Sequence, residues 1–274
     1  MTSFKAACVQ MSATPDIEAD IATDLALMEQ AAAAGAQLIA LPEYCAGLDV
    51  EDGALAPVAF PEAAHPALAA FSGFARDRAV ELLIGSIAVS EPDRLVNRSF
   101  HIGRDGAVLA RYDKIHMFDI DLGPDGRYCE SDVIAPGTQA TLTETHGARA
   151  GLSICYDLRF PHLYRDYARA GADILFIPAA FTRKTGAAHW HVLQRARAIE
   201  NGAFVIAPGQ CGTVAGGSEM FGHSLIVDPW GGVLADGGEE AGIVLAEIDL
   251  DRVAEARRKI PSLANERAYG KAAG

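Results

Sequence analysis

Long apolar runs are missing from this 274-residue chain: no stretch of 18 offers the length that a membrane-spanning helix needs. The start, MTSFKAACVQ, lacks the basic opening, extended apolar segment and cleavage site of a secretory leader, so none is expected. Positive charge is scarce. Lys and Arg total 23 against 36 Asp and Glu, and a net charge of −13 disfavours binding to nucleic acid or to anionic membranes. Such acidity otherwise serves solubility, and a local Lys or Arg overrides a distant field where a small substrate binds. Cysteines are few, odd in number and widely spaced: Cys8, Cys45, Cys129, Cys155 and Cys211 include no C-x-x-C pair. A disulfide framework or thiolate zinc site is therefore not expected, and the chain reads as cytoplasmic with free thiols. No G-x-G-x-x-G follows a strand, which leaves no dinucleotide fingerprint. Stretches rich in Pro, Gly or Ser that could serve as linkers are also absent, so residues 1–274 read as a single domain.

Half of the residues are hydrophobic, enough for a core that buries most of the unfolded surface. Residues 4–10 read as a strand. Ser12-Ala-Thr14-Pro15 then offers a capping hydroxyl and a proline suited to a first helical turn. Ile17, Ile21, Leu25, Met28 and Ala32 recur at helical spacing, with Gly35 as the stop. A buried strand over 37–41 runs into Pro42-Glu43. A helix over 65–78, strands over 80–90, 95–103 and 107–113, and an irregular stretch over 119–137 follow. The pattern then repeats, with strands at 148–154, 173–178 and 203–208 and helices at 162–170 and 189–201. A hairpin over 222–238, a strand over 242–248 and a short helix over 249–258 precede the tail. Helices alternating with strands, with hairpins inserted among them, indicate an α/β layered fold with mixed sheets.

Three side chains stand where a strand runs out into a loop, the usual place for a ligand in such folds: Glu43 after LIALP, Lys114 after AVLARYD, and Cys155 after ARAGLSI. Cys155, just ahead of a helix, is the candidate nucleophile, with a thiol pKa expected to be lowered by the helix pole and free amides. Its base could be one of eight histidines, none marked out by the sequence, or Glu43 in a partly apolar pocket. Lys114, with the amide of Tyr156, could hold an oxyanion. Each also has a plain reading: an inert buried thiol, a loop carboxylate, a surface lysine. Their joint pattern and the surrounding words favour chemistry.

Those words are LIALPEYCAG (38–47), RYDKIHMFDID (111–121), GRYCESD (126–132), GLSICYDLRFPHLYR (151–165), AHWHVLQRARAIENGAFVIAPGQCG (188–212) and FGHSLIVDPWG (221–231). In this order and over nearly the whole chain they resemble a carbon–nitrogen hydrolase of the nitrilase superfamily. Within it they look most like the branch holding deaminated-glutathione amidases and omega-amidases. The resemblance implies Glu43 as general base, Lys114 as oxyanion stabiliser, Cys155 as nucleophile and Glu130 as a second glutamate that helps place substrate and lysine. It further implies a four-layer α-β-β-α sandwich with mixed central sheets, a homodimer or higher homo-oligomer, and a C-terminal arm over 259–274. No cofactor is implied. The activity implied is hydrolysis of a small linear amide through a thioester, with deaminated glutathione or a related 2-oxo acid amide as substrate. Alternatives are 2-oxoglutaramate, other superfamily reactions (carbamoyl-amine hydrolase, aliphatic amidase, nitrilase), or a catalytically silent binding protein.

Tyr156, Arg159 and Phe181 are the candidate substrate-binding residues, Arg159 for a carboxylate unless it forms an ion pair with a neighbouring acid. The segment Gly123-Pro124-Asp125-Gly126 departs from the shorter apolar turn of relatives, which bears on substrate identity. His189 and His191, two apart on a helix, point to different faces and are not expected to share a metal. Arg195, Arg197 and Glu200 read as a solvated face or a subunit contact.

Overall fold

A computed structural model of the chain describes residues 3–51, 54–121, 123 and 127–270. The first half opens with β1 (Ser3–Gln10), α1 (Ile17–Ala33) and β2 (Leu38–Ala40), followed by a short hairpin of β3 (Val50–Glu51) and β4 (Ala54–Leu55). It continues with α2 (Pro66–Arg78), β5 (Glu81–Glu91), β6 (Arg94–Ile102) and β7 (Val108–Asp113). A second small hairpin, β8 (Asp119–Asp121) and β9 (Arg127–Cys129), precedes the second half. There β10 (Thr141–Thr145), β11 (Ala148–Leu152), α3 (Pro161–Arg169), β12 (Ile174–Phe176), α4 (Arg183–Asn201), β13 (Phe204–Ala207), β14 (Leu225–Val227) and β15 (Val233–Asp236) follow in turn. Finally β16 (Gly242–Asp249) returns to the first sheet and leads into α5 (Asp251–Lys259).

Two six-stranded sheets result, ordered β16-β1-β2-β5-β6-β7 and β10-β11-β12-β13-β14-β15. Each has three parallel strands at its heart, linked through helices, and antiparallel strands outside them. The period of two along β1 explains how the layers stack. Ala6 and Cys8 enter the core shared with Leu152, Phe176 and Leu225 of the second sheet, whereas Ala7 and Val9 pack with Met28, Ala31, Phe71 and Ala75 of α1 and α2. Helices α3 and α4 cover the second sheet, giving the expected α-β-β-α sandwich. A fully buried Leu, Ile or Phe in these layers contributes about 1.5–3 kcal/mol.

Local details differ from the sequence reading. The N-cap of α1 is Asp16, whose carboxylate accepts from the amides of Glu18 and Ala19; neither Ser12 nor Thr14 takes that role. The fully buried stripe of α1 is Asp20, Asp24, Met28 and Ala31, and Ile17, Ile21 and Leu25 are only half-buried. Asp20 explains its own place: it accepts from the Thr14 amide and hydroxyl and from the Gly47 amide, fastening α1 to the loop beyond Glu43. Helix α4 starts at Arg183, six residues before the expected His189. Gly186 allows this, since a Cβ there would stand 2.3 Å from the Phe221 ring.

Candidate active site

Glu43 is set by a bulge in β5. The β5–β6 register shifts between Ile84 and Ile87, and the chain after β2 rests against the displaced residues. Ser86 donates its amide to Pro42 O at 3.2 Å, while its side-chain oxygen accepts from Tyr44 N at 3.0 Å. Gly85 is required here, because a Cβ would lie 2.0 Å from Leu41 O and 2.4 Å from Pro42 O. Tyr44 itself takes φ of 48°, a left-handed turn that sends Glu43 inward. The Glu43 carboxylate then accepts from Lys114 Nζ at 2.8 Å, Asn97 Nδ2 at 3.0 Å and Ala180 N at 2.8 Å.

Lys114 leaves the end of β7, where its amide donates to Asn97 O and its carbonyl accepts from Gly137 N. Its ammonium also meets Glu130, at 3.0 Å from Oε1 and 2.7 Å from Oε2. Glu130 is fixed in turn by Phe118 N at 2.7 Å and the Tyr44 hydroxyl at 3.3 Å. Burial works against the lysine charge, but the carboxylates of Glu130 and Glu43 hold its pKa well above the usual range. The lysine stays an ammonium.

Cys155 comes from the other sheet. Strand β11 ends at Leu152, and a 3₁₀ turn over Cys155–Arg159 begins with Cys155 at φ of 47°, a strained value for a residue with a Cβ. Its amide donates to Pro178 O at 2.8 Å beyond the end of β12, holding the turn against the sheet. The thiol is buried, and the Glu43 carboxylate stands near enough to act on it electrostatically. Burial pushes its pKa well above the ordinary thiol value; Glu43 adds to this and Lys114 opposes it. The expected lowering by a helix pole is thus not realised: α3 starts only at Pro161, and desolvation beside a carboxylate outweighs it. The resting state is a protonated thiol with an acceptor beside it.

These groups face a cavity of about 670 Å³, walled by Tyr156, Phe181, Phe118 and Tyr128 among others. Arg159 is not among the residues that line the cavity; it stacks on two that do, its guanidinium 5.6 Å from the Tyr156 ring centre and 5.2 Å from that of Phe181. It contacts His189 Nδ1 at 3.3 Å and, among the described residues, pairs with no carboxylate. Of the Gly123–Gly126 segment, Pro124, Asp125 and Gly126 lie outside the described residues; the flanking Phe118 and Arg127 both line the cavity.

The family model described as carbon-nitrogen hydrolase matches residues 5–258. The chain belongs to the carbon–nitrogen hydrolase family. It is 40% identical to a deaminated glutathione amidase of Synechocystis sp. over 96% of its own length and 98% of that protein's. Against the human omega-amidase NIT2 the identity is 35%, covering 97% of this chain and 96% of the relative. Among solved structures, yeast Nit3 of the nitrilase superfamily superposes with a TM-score of 0.83 at 29% identity, covering 94% of each chain. The C. elegans NitFhit protein superposes with a TM-score of 0.88 at 33% identity, and this chain spans 97% of its own length but 65% of that larger chain.

In this hydrolase several site residues escaped sequence reasoning. Asn97 bridges Glu43 and Glu130, at 3.0 and 3.5 Å. Its signal was a polar amide in the middle of a buried strand, where asparagine is disfavoured. Asp157, fully buried, accepts from Tyr112 OH at 2.7 Å, Ile154 N at 2.8 Å and His116 N at 3.1 Å. It couples the Cys155 turn to residues on both sides of Lys114. Arg197 belongs to neither a solvated face nor a subunit contact: it is buried and donates twice to Leu158 O, at 3.1 and 2.7 Å, clamping the same turn. Arg195 donates to Gly231 O at 2.8 Å.

Proposed function

We propose that this hydrolase cleaves a small linear amide through a thioester on Cys155. Glu43 takes the thiol proton as sulfur attacks the carbonyl carbon, Lys114 and the Tyr156 amide hold the oxyanion, and Glu43 returns the proton to the departing amine. Water, deprotonated by Glu43, then attacks the thioester and releases the acid and the thiol. The observation that carries the reading is the Lys114 ammonium held between Glu43 and Glu130 beside a buried thiol at the floor of a cavity. Glu130 serves to aim the lysine. Loss of one oxyanion donor costs roughly 3–4 kcal/mol, about a hundred- to a thousandfold in rate.

Deaminated glutathione or a related 2-oxo acid amide is the substrate class we assign, supported by the 40% identity to a deaminated glutathione amidase. Arg159, free of any described acid, would meet a substrate carboxylate, with Tyr156 and Phe181 flanking it. The whole chain would act as one catalytic unit; of the expected arm over 259–274, residues 271–274 lie outside the described residues. A homodimer is supported by the outward apolar side chains Val192 and Ile199 on one face of α4, 67% and 51% exposed. The five free thiols fit a reducing cytoplasm.

Turnover of deaminated glutathione beside 2-oxoglutaramate is the test. Faster cleavage of the first supports the assignment; preference for the second makes the protein an omega-amidase. Ammonia release from a nitrile or simple aliphatic amide alone would move it elsewhere in the superfamily. Inactivation by a thiol reagent, with protection by substrate, separates an enzyme from a silent binder. Peptide mapping must accompany it, because Cys129 also lines the cavity.

A further inference from the structure

Among the described residues, one group of three metal-ligating side chains comes together outside the cavity: His191, His223 and Asp236. His191 projects from α4, His223 precedes β14, and Asp236 closes β15, so the trio joins three separate elements. Their ligand atoms all lie within 4.8 Å of one another. His191 Nε2 stands 2.9 Å from Asp236 Oδ2, and His223 Nδ1 stands 2.8 Å from Asp236 Oδ1, so each imidazole addresses a different oxygen of one carboxylate. His189, two residues from His191, turns instead toward Arg159. The expectation that these neighbours diverge holds, yet the fold supplies His191 with other partners.

We propose that His191, His223 and Asp236 form a binding site for a divalent transition-metal ion of the zinc, cobalt and nickel class. Two imidazoles and one carboxylate suit such ions, and three protein ligands leave a position for water. Bonds of about 2.0–2.2 Å set tetrahedral ligand atoms roughly 3.4 Å apart, so the two imidazole–carboxylate contacts of 2.9 and 2.8 Å would open slightly to admit an ion. Neighbouring groups hold the ligands in place. Gly238 N donates to Asp236 Oδ1 at 2.9 Å, His223 N donates to Gly238 O at 2.6 Å, and the Phe221 ring stacks on His223 at 4.5 Å. His223 holds φ of 52°, so its backbone is strained to aim the ring. Side-chain exposures of 36%, 21% and 36% leave a path for an ion.

The site would lie one layer behind the cavity wall. Trp190 donates its indole N–H to His223 O at 2.7 Å and packs on Phe181, while Phe221 N donates to Phe181 O. A bound ion would brace that wall without touching Cys155.

The experiment titrates chelator-stripped full-length protein with Co²⁺, reading visible absorption, metal content after desalting and Tm. One ion per chain is expected, with an imidazole–carboxylate spectrum free of thiolate charge transfer and with a raised Tm. His191→Gln, His223→Gln and Asp236→Asn should each weaken binding more than about 100-fold, beyond the usual cost of losing a supporting contact. No uptake by the wild type, a thiolate spectrum, or undiminished binding by natively folded His191→Gln and His223→Gln proteins would each overturn the site and leave the trio a metal-free tie.

Discussion

Lys114 Nζ lies 2.8 Å from Glu43 Oε1, and the two side chains are 2% and 3% exposed, so little of either charge is hydrated. Each charge depends on the other. Lys114→Met would leave Glu43 and Glu130 facing each other without a cation. Removing one member of a buried pair costs about 3–5 kcal/mol. Urea denaturation at pH 7 should show a loss of that size, partly recovered by adding Glu130→Gln. A loss under about 1 kcal/mol would mean that cavity water solvates the two carboxylates as well as the ammonium does.

Cys155→Ala should keep the fold and form no acyl-enzyme by intact mass; a covalent adduct on that variant would remove the thiol from the mechanism. A second comparison reads the backbone. Because φ is 47° at this residue, alanine pays a left-handed penalty of about 1–2 kcal/mol that glycine avoids, against about 0.4–1 for glycine's freedom when unfolded. Cys155→Gly should therefore be the more stable by roughly 0.5–1 kcal/mol, and equal stabilities would show that the turn relaxes.

Asp157→Asn keeps the shape but replaces one accepting oxygen by a donor, so the backbone N–H of either Ile154 or His116 must lose its acceptor. Asp157 is a positioning residue. We expect kcat to fall about 10- to 100-fold with little change in KM, the mark of displaced reacting groups. A raised KM with normal kcat would place it in binding instead.

Burial pushes the His65 imidazole down from 6.5 to about 4. Folded protein keeps it neutral, whereas the unfolded chain takes up a proton below pH 6.5. Stability is therefore full above pH 6.5 and drains away as pH falls toward 4, by about 3 kcal/mol in total. His65→Phe should flatten that limb in a stability–pH series; an unchanged slope would assign acid sensitivity to other groups.

Asp24 has the opposite sign. Burial, and then the charge of Asp20, raise its carboxyl well above the usual range. Its contribution is present below the unfolded pKa, about 3.9, and is lost as pH rises above that value. Asp24→Asn should then stabilise the protein at pH 7 and make no difference near pH 3. A destabilised variant at neutral pH would reveal a buried partner for the carboxylate.

These two aspartates also mark where sequence reading stops. The 3.6-residue period located α1 and its length, yet Ile21 and Leu25 sit beside the buried stripe because Asp20 is drawn inward by Thr14 and Gly47, contacts distant in design though near in space. Strand β10, TLTET, escaped notice because alternating Thr and Glu resemble a loop until Thr143 meets His101 of the opposite sheet at 2.8 Å. The small hairpins β3–β4 and β8–β9 carry too few residues for any period. In the site, Glu43, Lys114 and Cys155 were legible because each ends a recognisable strand. Asn97, Asp157 and Arg197 were not, since their partners are 54, 41 and 39 residues away.

The pairing of β16 with β1 runs the full register from Ser3 opposite Asp249 to Gln10 opposite Gly242. Synthesis therefore delivers Glu43, Lys114 and Cys155 long before the strand that covers the flank of the sheet behind Glu43. Until residue 249 emerges, β1 offers an open ladder to any passing chain, a standing invitation to misassociate. Maturation of the first sheet thus waits for β16, and truncation before Gly242 should trap aggregates even though Glu43, Lys114 and Cys155 have all been made.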